Sequence, residues 1–275
     1  MDHEVQRRIE HHVRAWNVRI DETHETAQSA FVMGTRNGDA VVIKIAKHRN
    51  DEWRAGDTLQ CFGGRGVIQV LESIEGATLL PRLEPGTSLV RVCHKDDEQA
   101  TRILAEVIRE LSPAPHPDGI PFVQDWAESF DRYLRGSNTT ISCDLVAEAH
   151  RVYLDLCATQ RDVRLLHGDL HHDNVLHDST RGWVAVDPKG VVGELAFEVG
   201  AALRNPIELP ELFTDPRVID ARVRRFSGEL TLDRSRVVAW ASTQAVLAAI
   251  WLIEDGEPVQ PDHPWLTLAQ RLRRL

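Results

Sequence analysis

Cysteine is scarce in this chain and never paired in pattern. The four present, Cys61, Cys93, Cys143 and Cys157, form no C-x-x-C, so neither a dithiol redox centre nor a sequence-local zinc cluster is supported. Long apolar runs are also lacking. The longest, Ala245 to Ile253, ends at Glu254-Asp255-Gly256, well short of the ~20 residues that cross a bilayer. Residues 1–14 are charged and His-rich where a signal peptide would be apolar. Basic residues are outnumbered, 32 Lys and Arg against 42 Asp and Glu for a net charge of −10. That balance argues against nucleic acid, whose phosphates are read by basic surfaces. There is no G-x-G-x-x-G, no internal repeat and no low-complexity stretch. These absences predict a cytoplasmic protein without nucleic-acid or membrane partners; a monomer or weak homodimer is expected, although the sequence itself leaves oligomeric state open. An acidic chain is instead suited to a cationic small molecule.

What is present is a 275-residue chain, 42% hydrophobic, which suits one or two lobes around a substantial core. Its organising stretch is Leu165-Leu166-His167-Gly168-Asp169-Leu170-His171-His172-Asp173-Asn174-Val175-Leu176, polar and acidic between two apolar flanks. That pattern predicts a tight loop between buried strands. After the turn Asp178 to Gly182 it recurs as Trp183-Val184-Ala185-Val186 leading into Asp187. An Asp, an Asn five residues on and a second Asp on the next strand are what Mg²⁺-assisted phosphoryl transfer needs. Asp169 would orient the attacking hydroxyl, and Asn174 and Asp187 would hold the metal. Mg²⁺ prefers hard oxygen ligands and usually takes only one or two protein carboxylates. The plainer alternative is that these residues merely cap turns.

A zinc site is the rival reading, since His167, His171, His172 and His177 crowd the same stretch. Adjacent His171 and His172 should point in opposite directions in an extended loop, and no cysteine is close in sequence, so zinc is disfavoured. His167 reads as a structural hydrogen-bonding residue at a strand end.

The run His167 to Leu176 resembles the catalytic loop of the aminoglycoside phosphotransferases, relatives of the protein kinases in which His-Gly-Asp replaces His-Arg-Asp. The following Gly-Trp-x-x-x-Asp-Pro-x-Gly-x-x-Gly-Glu, from Gly182 to Glu194, is similar to the streptomycin 6-phosphotransferase and hydroxyurea-kinase branch. There Asp-Pro-Lys-Gly stands in for the kinases' Asp-Phe-Gly. The resemblance implies an α+β, bilobal protein-kinase-like fold, with a small β-rich nucleotide-binding lobe over residues 1–84 and a larger helical lobe over 85–275. It also implies ATP and Mg²⁺ as cofactors, and a cationic antibiotic, streptomycin at its 6-hydroxyl, as acceptor. Hydroxyurea or another small alcohol is the alternative acceptor. A nucleotide-binding pseudokinase is disfavoured because Lys44, Asp169, Asn174 and Asp187 are all present.

The rest of the chain falls in kinase order. Val5, Ile9, Val13 and Trp16 predict a short amphipathic helix over residues 1–20. Ala30 to Gly34 and Ala40 to Ala46 flank Arg36-Asn37-Gly38-Asp39, a strong hairpin signal. Lys44 is the odd residue in an apolar strand, and by resemblance its ammonium reaches the α/β-phosphates. Asn50 to Phe62, closed by Gly63-Gly64, reads as a helix that supplies the acid for Lys44, with Glu52 chosen and Asp57 the alternative. Ser29, with neighbouring N–H groups, takes the place of a glycine-rich phosphate loop. Val67 to Leu71 and Ala77 to Leu80 read as two further strands. Pro81 to Gly86 then marks a hinge, where Leu83 would donate to adenine because Pro81 has no N–H. Helices are predicted over 96–111, 126–134, 143–157, 194–203, 216–226, 234–253 and 263–272, with Pro113, Pro115 and Pro117 ending the first. Lys189 could steer phosphate or be a surface lysine. Glu194, Glu198, Asp125 and Glu208 are candidate acids for a cationic substrate, each read first as solvated.

Overall fold

The Asn37-Gly38 dipeptide nucleates the first architecture, because both residues adopt positive φ, 55° and 97°, as a two-residue hairpin turn requires. A computed structural model describes residues 2–49, 51–111, 114 and 118–275. The hairpin joins β2 (Ser29–Arg36) and β3 (Asp39–Ala46), and β1 (Arg19–Glu25) pairs with β2. With β4 (Glu72–Ile74) and β5 (Ala77–Pro81) these form a five-stranded antiparallel sheet of order β1-β2-β3-β5-β4. α1 (His3–Ala15) lays Val5 and Ile9 on one face of this sheet, against Val32, Val41, Ile43 and Ile45. Strand alternation then sends Lys44, between Ile43 and Ile45, to the opposite face.

Two expectations for this lobe need correcting. Val67 to Leu71 is not a strand; Val67 only bridges to Ala185, and the Ile68 N–H donates to the Ala185 carbonyl. Val67 and Ile68 are buried where the chain crosses the joint between the lobes, whereas Val70 is half-buried and Gln69 and Leu71 are exposed. The strands missed are the two sheet edges: β1, whose Arg-Ile-Asp-Glu-Thr-His-Glu carries no apolar alternation because it is exposed, and the three-residue β4. The predicted helix after β3 is split into a 3₁₀ turn, Asp51–Arg54, and α2 (Ala55–Phe62), closed by Gly63 at φ 62°. Asn50 lies outside the described residues, as do Pro113, Pro115 and Pro117.

Beyond β5 the chain is mainly helical. α3 (Val90–Cys93), α4 (Asp97–Leu111), α5 (Glu128–Arg135), α6 (Cys143–Ala158), α7 (Leu195–Leu203), α8 (Pro210–Phe213), α9 (Pro216–Glu229), α10 (Arg234–Glu254) and α11 (Pro264–Leu272) surround one large core. α10 is the central post, packed by α5, α6, α7, α9 and α11. Trp240 on it is fully buried and meets Tyr153 and Phe197 edge-on, each with ring centroids 5.1 Å apart. Such packing favours edge-to-face contacts over stacking. By length and composition alone α10 could cross a membrane, which the shorter run Ala245 to Ile253 does not suggest. Here 67% of its most apolar window is buried inside the protein, so its hydrophobicity is satisfied by the core.

Small strand pairs within the helical lobe position the chemistry. β6 (Pro85–Ser88), β8 (Val175–Asp178) and β9 (Gly182–Ala185) make one sheet, and β7 (Arg164–Leu166) pairs with β10 (Val191–Gly193). The loop 167–174 therefore runs from β7 to β8, and the loop 186–190 from β9 to β10. Antiparallel pairing of Leu166 with Val191 and of Val175 with Ala185 clamps both loops at both ends and sets them side by side.

Candidate active site

His167 opens the first loop as a buried crosspiece. Its Nε2 bonds the Val186 carbonyl at 2.9 Å and its Nδ1 accepts from the Asp169 N–H at 3.4 Å. The ring thus ties one loop to the other, and burial pushes its pKa down to about 4, so it stays neutral. Gly168 follows at φ 81°, a conformation that L side chains rarely adopt. A Cβ there would stand 3.0 Å from Val191 Cγ1 and 3.4 Å from the Trp126 ring. Gly168→Ala is expected to cost about 1–2 kcal/mol in backbone strain alone, read as a lower denaturation midpoint at unchanged m.

Asp169 stands next, its carboxylate split between two cations. Arg204 Nη2 donates to Oδ1 at 3.1 Å, and Lys189 Nζ lies 3.5 Å from Oδ2. Burial would raise its pKa, but Lys189, His171 and Arg204 more than reverse that and hold it well below the usual carboxylate range. Asn174 donates its amide N–H to the Asp169 carbonyl at 2.9 Å. That bond aims the amide nitrogen into the protein and leaves its oxygen for other partners. Asp187 ends the β9 segment in the left-handed region, φ 63°, which is unusual for a residue other than glycine. Its carboxylate meets Lys44 Nζ, which also lies 3.3 Å from Glu52 Oε2. Asp169, Asn174, Asp187 and Glu52 line one cavity of about 630 Å³. Asn174 and Asp187 offer the hard oxygen donors that Mg²⁺ takes.

The acid that meets Lys44 is Glu52, while Asp57 lies on α2, exposed. Ser29 is 1% exposed and gives its hydroxyl to Glu52. It therefore orients the acid beside Lys44, and Gln28 is the neighbour that lines the cavity. Leu83 follows β5, half-buried against the helical core. Of the four candidate acids, Asp125 lines the cavity and Glu208 is exposed. The solvated reading fails for the other two. Glu194 is buried against Arg236, 2.6 Å away, and accepts from the Trp240 indole. Glu198 accepts from the His167 N–H at 2.6 Å and the Gly168 N–H at 3.0 Å. Glu198 had a readable signal: a lone acid in the otherwise apolar Leu195–Leu203 is rarely buried without partners.

His171 and His172 do diverge. His171 faces Asp169, its Nε2 4.0 Å from Oδ2. His172 is buried beside Cys93 and Asp97, whose ligand atoms lie within 4.8 Å of one another and of its own. Arg222, 2% exposed, already occupies that corner through bonds of 2.6 and 3.1 Å to Asp97. A fixed guanidinium inside the ligand set opposes a divalent cation, so the cluster is an ion-paired joint between α4 and α9. Trp126, Trp251, Glu128, Glu254 and Asp255, which also line the cavity, had no sequence signal; two stretches distant in the chain, 126–128 and 251–255, supply them.

The chain matches the family model described as aminoglycoside/hydroxyurea antibiotic resistance kinase over residues 15–256. The chain belongs to this family. It is 31% identical to a streptomycin 3''-kinase of Klebsiella pneumoniae, over 88% of this chain and 91% of that one. It is 28% identical to a hydroxyurea phosphotransferase of Kitasatospora aureofaciens, covering 93% and 75%, and 28% identical to a streptomycin 6-kinase of Streptomyces griseus, covering 89% and 81%. The aminoglycoside phosphotransferase APH(4)-Ia shares its fold, with a TM-score of 0.70 at 15% identity over 98% of each chain. Membership of this kinase family makes the chain a small-molecule phosphotransferase with a hydroxyl acceptor, and the protein-kinase-like fold agrees.

Proposed function

We propose that this kinase transfers the γ-phosphoryl group of ATP, with Mg²⁺, to the 6-hydroxyl of streptomycin. The observation that carries the acceptor class is the cavity wall beyond Asp169. Asp125, Glu128, Glu254 and Asp255 lie there with Trp126 and Trp251, whose rings meet at 83° with centroids 5.2 Å apart. Seven carboxylates line the cavity, of which Glu52 and Asp187 meet Lys44, Asp169 meets Arg204 and Lys189, and Glu128 and Glu254 share Arg132, so the acidic groups outnumber the four cations that meet them. Such a wall favours a bulky cation and offers aromatic faces to guanidinium groups. Hydroxyurea, small and uncharged, would leave most of it unused. Streptomycin 6-kinases of Streptomyces griseus and Streptomyces glaucescens, 28% identical, support the position.

In this reading Asp169 accepts a hydrogen bond from the acceptor hydroxyl and orients its oxygen toward the γ-phosphorus. Lys44, held by Glu52, meets the α/β-phosphates, and the Leu83 N–H serves the adenine edge. Asn174 and Asp187 would hold Mg²⁺, which when bound offsets phosphate charge. Because the transition state is loose, positioning and charge neutralisation are the protein's main contributions. The test is ATP turnover with streptomycin and with hydroxyurea separately, with the product's mass and its phosphorylated position determined. Streptomycin-dependent turnover and a 6-phosphate are expected. Turnover with hydroxyurea alone, or a 3''-phosphate, would replace the acceptor or the position.

A further inference from the structure

We propose that the two cations on Asp169 have separate duties, and that Lys189 is a further catalytic residue of the transfer. This rests on the phosphotransfer reading above. Arg204 is the fixed partner. It is 5% exposed, caps the C-terminal end of α7, donates to Gln244 Oε1 at 3.4 Å, and its carbonyl accepts from the Trp265 indole at 2.9 Å. With its rigid fork seated among α7, α10 and α11 it commits Oδ1 permanently. Oδ2 is left as the oxygen that can meet an acceptor.

Lys189 covers that oxygen loosely. Its Nζ lies 3.5 Å from Oδ2 and 5.0 Å from the centroid of Trp251, and its side chain is 32% exposed. It stands two residues past Asp187 on the loop that faces the phosphates in this reading. A flexible ammonium between the base, the aromatic wall and the metal-binding loop can exchange partners where Arg204 cannot. Once the γ-phosphoryl group is in place, Lys189 moves to its oxygens and leaves Oδ2 free for the acceptor hydroxyl. The acceptor oxygen then bonds phosphorus as the bond to the β-bridging oxygen breaks, its electron pair leaving on ADP. The hydroxyl proton passes to Asp169 Oδ2.

The experiment compares wild type with Lys189→Gln and Lys189→Arg, streptomycin being the acceptor probe. Lys189→Gln should lower kcat ~10²-fold, the loss typical of one transition-state donor, with the KM for ATP changed less than about threefold. Lys189→Arg should recover most of the rate. A purely structural lysine would lower the melting temperature instead of kcat. Unchanged kcat in Lys189→Gln, or no rescue by arginine, overturns the proposal. An acceptor-independent measurement separates this from failure of the acceptor reading. Mg²⁺ and AMP-PNP should alter tryptophan emission in wild type, and the change should vanish in both Lys189→Gln and Trp251→Phe. A change that survives in Lys189→Gln overturns the exchange even if streptomycin proves the wrong acceptor.

Discussion

Asp169→Asn is expected to lower kcat by ~10²–10⁴-fold, the range of a lost general base, while leaving ATP affinity nearly unchanged. Asn keeps the shape and can still accept from Arg204 Nη2, which stands 3.1 Å from Oδ1, but it has no carboxylate to receive or orient a hydroxyl proton. The nucleotide-side groups are separate: Lys44, Glu52 and Asp187 form their own ion-pair chain. Alanine would be a poorer probe, because it leaves the buried Arg204 without its counter-ion, and breaking a buried pair by removing one partner costs about 3–5 kcal/mol. Steady-state turnover, ATP titration by calorimetry and a thermal melt of the Asn variant separate these effects. Equal loss of turnover and of ATP binding would contradict the role given to Asp169.

What could be read from the chain alone follows from where the physical signal is local. The loop 167–176 and Asp187 announce themselves because polar donors interrupt apolar strands, and the same contrast exposes Lys44 in β3. The Asn37-Gly38 turn fixed the hairpin register in advance. The strand β1 was invisible because an exposed edge needs no apolar face. Val67 to Leu71 was misleading because Val67 and Ile68 are buried at a joint, which looks like burial in a sheet, while Leu71 is simply an exposed apolar residue. The acceptor wall was illegible for another reason. Trp126 and Asp125 come from a 3₁₀ turn, and Trp251, Glu254 and Asp255 from the far end of α10. They meet through tertiary packing, which no spacing rule encodes. Arg204 likewise becomes interpretable only when α7 is seen to end beside Asp169.

Glu198→Ala is expected to be the most destabilising single change near the site. Its carboxylate accepts from two consecutive buried backbone N–H groups, at 2.6 Å from His167 and 3.0 Å from Gly168. Truncation leaves both without an acceptor, at about 1–3 kcal/mol each, and opens a void under the loop. The consequence is functional as well, because α7 carries Glu198 under the loop's backbone and Arg204 on the Asp169 carboxylate, so one rigid helix sets both. Burial, opposed by those two hydrogen bonds, pushes the Glu198 pKa up to about 7 from an ordinary 4.5. The native state therefore holds this proton more tightly than the unfolded chain does. Its contribution to stability is full below about pH 4.5 and is lost as pH rises through about 7. Glu198→Gln, which cannot titrate, should lack that slope. Denaturant unfolding of wild type and Glu198→Gln at intervals from pH 4.5 to 8 reads the difference directly. Parallel curves would mean that the carboxylate is ionised throughout, with the two N–H donors outweighing burial.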